Sequence, residues 1–130
     1  MIVKNRIMCC QLLVLCSIAM LTACSSSEQE ANLSIHAEMY KLAHANGCID
    51  CHRVKATVIG PSWDAISKRY QDVPRAEARA LLIERVKKGS SGNWNTWKGG
   101  SGMPPLEKRV AAEHIERLVD YILSLHPQVH

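Results

Sequence analysis

Cys48-Ile49-Asp50-Cys51-His52 is the stretch from which the fold of this 130-residue chain follows. It has the C-x-x-C-H pattern of covalent haem attachment, in which two cysteine thiols form thioethers with the haem vinyl groups. The histidine that follows becomes an axial ligand of the iron. A thioredoxin-like dithiol does not need this histidine, and a structural zinc site needs a second pair of ligands. The stretch therefore predicts one covalently attached haem c, with His52 as an iron ligand.

A six-coordinate electron-transfer haem needs a second axial ligand. After residue 23 the chain has two methionines, Met39 and Met103. Met39 lies among apolar residues at helical spacing, where methionine usually only packs. Met103 lies in Gly102-Met103-Pro104-Pro105, where the prolines stiffen the chain directly after it. We predict Met103 as the second ligand, and a thioether ligand raises the reduction potential. The remaining histidines are rival ligands that we expect to be solvated: His36, His44, His114, His126 and His130.

The first 23 residues have the features of an export signal. Lys4 and Arg6 precede an apolar stretch of 17 residues, Ile7 to Ala23, and a membrane-spanning helix prefers roughly 20. The stretch ends in Leu21-Thr22-Ala23-Cys24, which resembles a lipoprotein box whose cysteine is acylated and becomes the first mature residue. Soluble secretion and an uncleaved anchor are the alternatives. We predict a lipoprotein signal peptide over residues 1–23 and lipidation at Cys24.

The predicted signal also indicates where the protein works. Bacteria attach haem to C-x-x-C-H motifs outside the cytoplasm, so signal and motif agree on the periplasm. A lipid anchor would hold the domain at a membrane, because each buried CH₂ contributes about 0.8 kcal/mol. Ser25, which follows Cys24, is not the aspartate associated with inner-membrane retention in enteric bacteria, and this favours the outer membrane. Residues 24–33 are polar and predict a flexible tether, which leaves 34–130 as a monohaem domain.

Cysteine count and charge exclude several classes of protein. Cys9, Cys10 and Cys16 lie in the predicted signal, and lipid and haem account for the other three cysteines, so no disulfide framework remains. Loss of Lys4 and Arg6 lowers the formal net charge from +4 to +2. Two haem propionates would bring it near neutral. The charge does not indicate nucleic acid binding, and no Gly-rich phosphate loop or nucleophilic triad is apparent. We expect a monomer that is not an enzyme.

Apolar residues at helical spacing predict about four short helices and no strand. The first helix has Ser34 as its N-cap, ends at Gly47, and carries an apolar face of Ile35, Met39, Leu42 and Ala43. A short second helix follows over residues 61–70, with Pro61 at its first position. The first helix therefore delivers the chain directly into the haem-attachment stretch.

Two longer helices follow. Pro74 opens one over residues 74–88, two lysines and Gly89 end it, and its apolar face is Ala78, Leu81, Leu82 and Val86. The last runs over residues 111–126 with a weak N-cap, and its stripe is Ile115, Leu118, Val119, Ile122 and Leu125. Glycines and prolines make residues 89–105 irregular. These helices bury little surface alone, so a haem supplies the missing core, which fits the absence of phenylalanine.

Together these segments resemble the class I cytochromes c, in particular the small bacterial c-551 type, over roughly residues 35–125. The resemblance rests on four motifs in order: GCIDCH at 47–52, VIGP at 58–61, KGSSGNW at 88–94 and MPP at 103–105. It implies an all-α cytochrome c fold wrapped round one haem c. It also implies a periplasmic one-electron carrier that works with redox partner proteins.

The resemblance assigns further roles to individual residues. The backbone carbonyl of Pro61 is expected to accept a hydrogen bond from Nδ1 of His52 and so to fix the ring. The indole N–H of Trp94 is expected to bind a haem propionate, with simple packing as the alternative. The first and last helices are expected to cross, with Ala43 and Gly47 allowing close approach to Leu118, Tyr121 or Ile122.

Two departures from the c-551 pattern stand out. Many relatives have an asparagine directly after Met-Pro-Pro, placed to hydrogen-bond the ligand sulfur, and this chain has Leu106 there. The segment before Met103 is also longer than in the shortest relatives, with Trp97-Lys98-Gly99-Gly100-Ser101-Gly102 inserted. Glycines make a chain more mobile, so the sequence predicts a methionine–iron bond more labile than is usual in the family.

Two alternative functions are compatible with the same motifs. One is a haem c enzyme or gas-binding sensor with a displaceable sixth ligand, which only the glycine-rich segment favours. The other is a fixed electron-transfer subunit of a larger respiratory or dehydrogenase complex. Several basic residues either ring an exposed haem edge and steer an acidic partner or form an ordinary solvated surface: Lys55, Lys87, Lys88, Lys98, Lys108 and Arg109.

Overall fold

The computed structural model describes residues 27–92, 94 and 102–126. The predicted signal peptide, Cys24, Lys98 and His130 lie outside these ranges. The chain divides into two compact units, Met1–Glu38 and Met39–His130. Within the described ranges no helix is both long enough and apolar enough to cross a membrane.

The described backbone is helical, as predicted. Helix α1 covers residues 27–45 and is followed by α2 (Cys48–Cys51), α3 (Trp63–Arg69), α4 (Arg75–Lys88) and α5 (Ala112–Ser124). These residues form no β-strand, and their only β pairing consists of isolated bridges between His52 and Thr57 and between Ser90 and Met103. The all-α prediction is therefore confirmed.

The first unit differs from the sequence prediction in where its helix begins. The chain is helical from residue 27, the first described residue. The prediction of Ser34 as N-cap is wrong, because Ser34 lies inside the helix and its hydroxyl donates to the carbonyl of Ala31 at 2.9 Å. Residues 27–33 are helical where a coil was expected. Glu28 and Glu30 in this first described turn are favourable next to the positive end of a helix dipole. The division into tether and domain stays a prediction.

Gly47 ends α1 and turns the chain into the haem-attachment stretch. Its φ of 72° lies in the left-handed region, where glycine is the favoured residue after a helix. The N–H of Gly47 donates to the carbonyl of His44 at 3.1 Å and closes the last turn. A Cβ at this position would meet only Oδ2 of Asp50, at 3.5 Å. The predicted close approach of Gly47 to the last helix is therefore wrong, and its role is conformational.

Helices α3 and α4 begin one or two residues later than predicted. The side chain of Ser62 accepts from the N–H of Ala65 at 3.1 Å and is the N-cap of α3, so Pro61 lies before the helix. Pro74 is the N-cap residue of α4, and Gly89, with φ 79°, follows its end. Ala111 provides no side-chain cap for α5, as the sequence indicated.

One hydrophobic cluster packs α4 against α5. Ala78 is fully buried on α4, and Ile115 and Val119 on α5 are about 2% exposed. Of the two adjacent leucines predicted on the apolar face of α4, Leu82 is 8% exposed, whereas Leu81 is 38% exposed and lies outside the cluster. The members of the cluster are Tyr70, Ala78, Leu82, Val110, Ile115, Val119 and Leu123.

A second cluster packs the C-terminal part of α1 against α5. Ala43 is fully buried and Met39 is 6% exposed, which confirms the predicted helix contact at Ala43 and the packing role of Met39. The rings of Trp63 and Tyr121 meet edge to face, with centroids 6.0 Å apart and an interplanar angle of 89°. The members of this cluster are Met39, Ala43, Ile49, Trp63, Leu118 and Tyr121.

Polar contacts tie α5 to the helices before it. Arg79 on α4 donates to Asp120 at 2.8 Å and to Glu116 at 3.0 Å, and these hydrogen bonds raise the pKa of Arg79. His126 was expected to be solvated, and this is wrong. Its Nε2 lies 2.6 Å from Oδ1 of Asp64 on α3, and its backbone N–H donates to the hydroxyl of Ser67 at 3.0 Å.

The Asp64 contact predicts a dependence of stability on pH. Hydrogen bonds from His126 and Lys68 lower the pKa of Asp64 below its usual 3.8. A lowered carboxyl pKa contributes stability that is fully present above the unfolded-state pKa and is lost as the pH falls through the folded-state pKa. Asp64→Asn should therefore be less stable than the unmodified protein at neutral pH, and the difference should be lost as the pH falls through the folded-state pKa of Asp64, which lies below 3.8. Urea unfolding at a series of pH values measures this.

The matched control is Asp72→Asn, at an exposed carboxylate. Its urea midpoint should stay close to that of the unmodified protein at every pH. If the urea midpoint of Asp64→Asn equals that of the unmodified protein from neutral to acid pH, the hydrogen bonds from His126 and Lys68 do not stabilise the fold.

Candidate cofactor site

A single large cleft takes its walls from both hydrophobic clusters. It encloses about 990 Å³ of empty space, part of it open to solvent. Leu82, Val110 and Ile115 from the first cluster and Trp63 and Leu118 from the second line it. The remaining lining residues are Cys48, His52, Pro61, Ile66, Arg85, Val86, Ser90, Ser91, Gly92, Trp94, Gly102, Met103, Leu106, Val119 and Ile122. An apolar cleft of this size with few polar groups suits a large flat apolar ligand.

Helix α2 is one turn long and presents the two cysteines. Cys48 and Cys51 are three residues apart on this turn, a spacing that puts side chains on neighbouring positions of a helix surface. Both are half-buried free thiols. Cys48 lines the cleft, whereas Cys51 is not among the lining residues. Burial raises the pKa of the Cys48 thiol, so this sulfur is neutral in the apo chain at pH 7.

His52 is a buried imidazole with one nitrogen fixed. Its Nδ1 lies 2.7 Å from the carbonyl oxygen of Pro61. A carbonyl only accepts hydrogen bonds, so Nδ1 carries the proton and Nε2 carries a lone pair. Burial lowers the pKa of His52, against a smaller opposing effect of the Pro61 hydrogen bond. The ring is therefore a neutral imidazole, which is the form that binds a metal.

The free nitrogen of His52 is the clearest sign that the cleft takes a metal-containing ligand. His52 is only 7% exposed, and within the described part of the chain no group hydrogen-bonds its Nε2. Buried polar atoms are normally satisfied, so an unsatisfied one needs an explanation. An iron held at Nε2 would supply that explanation. Two thiols, one imidazole lone pair and apolar walls fit a covalently attached haem.

Backbone hydrogen bonds hold Pro61 against His52. The N–H of Gly60 donates to the carbonyl of Cys51 at 2.9 Å, and that of Trp63 to the carbonyl of Arg53 at 3.0 Å. These bonds join the residues on both sides of His52 to those on both sides of Pro61. The His52–Pro61 hydrogen bond thus follows from the main-chain path, and the sequence predicted it only through the family resemblance.

Met103 lines the same cleft as His52 and is half-buried. It pairs through its backbone with Ser90, just after α4: Ser90 N–H donates to Met103 O at 3.0 Å, and Met103 N–H donates to Ser90 O at 2.7 Å. Leu106 also lines the cleft and packs against the first cluster. Leu106 gives the cleft an apolar surface where many relatives have an amide.

Trp94 lines the cleft next to cationic side chains. The guanidinium carbon of Arg69, at the end of α3, lies 4.6 Å from the centroid of the Trp94 ring, a cation–π contact that restrains the ring. Arg85 on α4 also lines the cleft and donates to the hydroxyl of Tyr70. Sequence analysis missed Arg85, although it lies three residues after Leu82 and hence on the same helix face.

The structure thus brings together five of the six predicted cofactor-binding residues in one cleft: Cys48, His52, Pro61, Trp94 and Met103. Cys51 lies on the same helical turn as Cys48. Among the rival ligands, His126 is engaged by Asp64, and His114 lies 3.4 Å from the side chain of Asn46. None of the described rival histidines lines the cleft.

Comparison with known proteins finds similar proteins that all belong to one family. A family model described as cytochrome c matches residues 37–126. Cytochrome c-551 of Allochromatium vinosum is 37% identical over 84 residues, which are 65% of this chain and 82% of that protein. Cytochrome c-552 of Nitrosomonas europaea is 38% identical over 84 residues, 65% of this chain and 75% of that protein.

Solved structures show the same similarity. The crystal structure of Nitrosomonas europaea cytochrome c552 matches 66% of this chain and 98% of its own, with a TM-score of 0.57 and 37% identity. The class 1 cytochrome MtoD of Sideroxydans lithotrophicus matches 67% of this chain and 91% of its own, with a TM-score of 0.53 and 31% identity. The cleft-lining residues all lie within residues 37–126, which the family model matches.

Proposed function

This chain belongs to the cytochrome c family, and from that membership we propose that it is a periplasmic one-electron carrier with His52 and Met103 as the axial ligands of its haem. Its fold is the cytochrome c fold. Its cofactor is covalently bound haem c, and Cys48 and Cys51 fit the attachment motif. The haem supplies a reversible one-electron iron couple, and the protein supplies ligands, burial and a docking surface.

The observation that supports the proposal best is the buried imidazole of His52 with an unpaired Nε2 in the same cleft as the Met103 side chain. The Pro61 carbonyl fixes the tautomer of His52 and makes it a better donor to iron. Met103 provides a thioether, which favours ferrous iron and a higher potential. The Leu106 side chain offers no hydrogen bond to the Met103 sulfur, so the polarity around that sulfur depends on how deeply it is buried.

Trp94 and Arg85 are proposed to bind the haem propionates. Both line the cleft, and both bear N–H donors. Arg69, the last residue of α3, lies over the Trp94 ring and restrains it. A guanidinium inside an apolar cleft is costly unless a negative charge accompanies it, and a propionate provides that charge.

The proposed docking surface lies beside the haem-attachment stretch. Val58 and Ile59 are 40% and 37% exposed, and both lie between His52 and Pro61 in sequence. Lys55 is exposed in the same segment. Exposed apolar residues with a basic neighbour suit a transient partner with an apolar contact area and an acidic rim. The partners are redox proteins, and the cytochrome itself is proposed to be a monomer.

The N-terminal features support a membrane-anchored location. We propose that residues 1–23 are a lipoprotein signal peptide and that acylated Cys24 holds the domain at the periplasmic side of a bacterial membrane, with the outer membrane favoured. Cys24→Ser tests this. The unmodified protein should sediment with membranes and shift into the detergent phase, whereas the variant should be released by periplasmic extraction with its haem intact. A membrane-bound variant would instead indicate an uncleaved signal anchor.

A spectrum of the purified holoprotein, oxidised and reduced, with and without carbon monoxide, tests the carrier function. A carrier should show a low-spin spectrum, a weak far-red sulfur-to-iron charge-transfer band when oxidised, and no response to carbon monoxide. A high-spin spectrum, or rapid binding of carbon monoxide, would point to the enzyme or gas sensor. Co-purification of a stoichiometric partner after gentle detergent extraction would point to a fixed subunit of a larger complex.

A further inference from the structure

The segment that carries Met103 is joined directly to the end of α4. Besides the two hydrogen bonds between Ser90 and Met103, the N–H of Leu106 donates to the carbonyls of Val86 and Lys87, each at 3.1 Å. The N–H of Glu107 donates to the carbonyl of Lys87 at 3.2 Å. These donors satisfy carbonyls at a helix C-terminus that would otherwise lack partners. Hydrogen bonds of Met103, Leu106 and Glu107 thus attach the methionine segment to the end of α4 and to Ser90 just after it.

Two glycines permit this attachment by their lack of a side chain. A Cβ on Gly89 would lie 2.6 Å from the Met103 oxygen and 2.9 Å from the Pro105 nitrogen. A Cβ on Gly102 would lie 2.4 Å from the Ser90 oxygen and 2.8 Å from Cβ of Ser91. The nearest atoms are mainly backbone, which cannot rotate away as the end of a flexible side chain can. Both glycines also have positive φ, 79° and 75°, which other residues rarely adopt.

We propose that Gly89, Ser90 and Gly102 are positioning residues for the methionine ligand, and that the glycine-rich segment before Met103 does not control the strength of its bond to iron. This rests on the proposed ligation by Met103. The Ser90–Met103 bridge closes the intervening segment at its two ends, and the free energy of closing a loop depends only weakly on its length. The bond is therefore firmer than the glycines in the sequence suggest.

The first experiment measures how fast imidazole displaces the methionine from the ferric haem. Gly89→Ala and Gly102→Ala should each raise the displacement rate by about tenfold or more, because strained backbone moves the bridge, and should weaken the far-red band. Ala80→Gly is the control for general weakening of α4. Ala80 is exposed on this helix and does not line the cleft, and glycine inside a helix destabilises it relative to alanine. This variant should leave the far-red band and the displacement rate unchanged.

The second variant tests the intervening segment itself. Gly99→Ala combined with Gly100→Ala, outside the described residues, should change the displacement rate by less than about threefold, the scale of a change in loop closure. A slower displacement in this double variant, beyond that range, would show that the segment controls the ligand and would overturn the inference. So would Gly89→Ala and Gly102→Ala variants that behave like Ala80→Gly.

Amide hydrogen exchange in the unmodified holoprotein tests the Ser90–Met103 bridge even if the alanine variants do not fold. The N–H groups of Ser90 and Met103 should be protected, in contrast to that of Gly92, which has no hydrogen-bond partner within the described ranges. Exchange of Ser90 and Met103 as fast as Gly92 would mean that the bridge does not hold. Absence of the far-red band from the unmodified protein would instead remove the proposed Met103 ligation itself.

Discussion

Met103→Ala is expected to lower the reduction potential by on the order of 0.1–0.3 V, within the roughly 0.8 V range that axial ligands cover. The oxidised variant should lose the far-red sulfur-to-iron band, and the reduced variant should bind carbon monoxide readily. The physical reason is that a thioether stabilises ferrous iron, and loss of the proposed ligand would open a coordination position in the cleft that Met103 lines. A spectroelectrochemical titration and a carbon monoxide titration measure both effects.

Met39→Ala is the matched control for this prediction. Met39 is 6% exposed in the second cluster and does not line the cleft. Loss of its side chain should destabilise the fold by about 2–5 kcal/mol, as buried methionines usually do on truncation, and leave the potential and the far-red band unchanged. If Met103→Ala keeps the band, or if Met39→Ala loses it, the assignment of Met103 as a ligand is wrong.

Sequence patterns predicted those parts of the site that depend on local chemistry. Cys48 and His52 follow from a fixed motif, and Met103 follows from the choice between two methionines. Contacts between residues far apart in the sequence could not be predicted from these patterns. The pairing of Ser90 with Met103 depends on the end of α4 meeting a segment 13 residues later, and no periodicity shows which backbone atoms pair. The lability predicted from the glycines stays a prediction, and the Ser90–Met103 pairing that bears on it was not visible in the sequence.

The helix predictions differ in the same way: local patterns were predicted, and long-range contacts were not. A helix buried along one side repeats apolar residues every three to four positions, and Ile115, Leu118 and Val119 of the predicted α5 stripe are buried, whereas Ile122 and Leu125 are half-buried. On α4 both Leu81 and Leu82 were predicted on the apolar face, and only Leu82 is buried. His126 was expected to be solvated, and no local pattern points to its partner Asp64, 62 residues away. Long-range partners decide such cases, and pattern alone does not reveal them.

Cys48→Ala combined with Cys51→Ala is expected to leave a chain that does not fold at 25 °C. Without thioethers the haem is lost on purification, and the cleft that it would fill is left empty. Full burial of one large apolar side chain contributes about 1.5–3 kcal/mol. The apolar faces of a haem are as large as several such side chains, so loss of their burial costs on the order of 10 kcal/mol, comparable to the 5–15 kcal/mol by which domains are usually stable. Far-ultraviolet circular dichroism should show less than about half of the holoprotein's helical signal.

The position of the cleft explains why loss of the haem should unfold the whole domain. Leu82 and Val119 belong to one cluster, Trp63 and Leu118 to the other, and all four line the cleft. A haem in the cleft would therefore contact both clusters at once. Addition of free haem should restore helix to the double variant, because its walls and the imidazole of His52 are still present. A double variant that unfolds cooperatively without haem, at a urea midpoint near that of the holoprotein, would show that the helices form their core unaided.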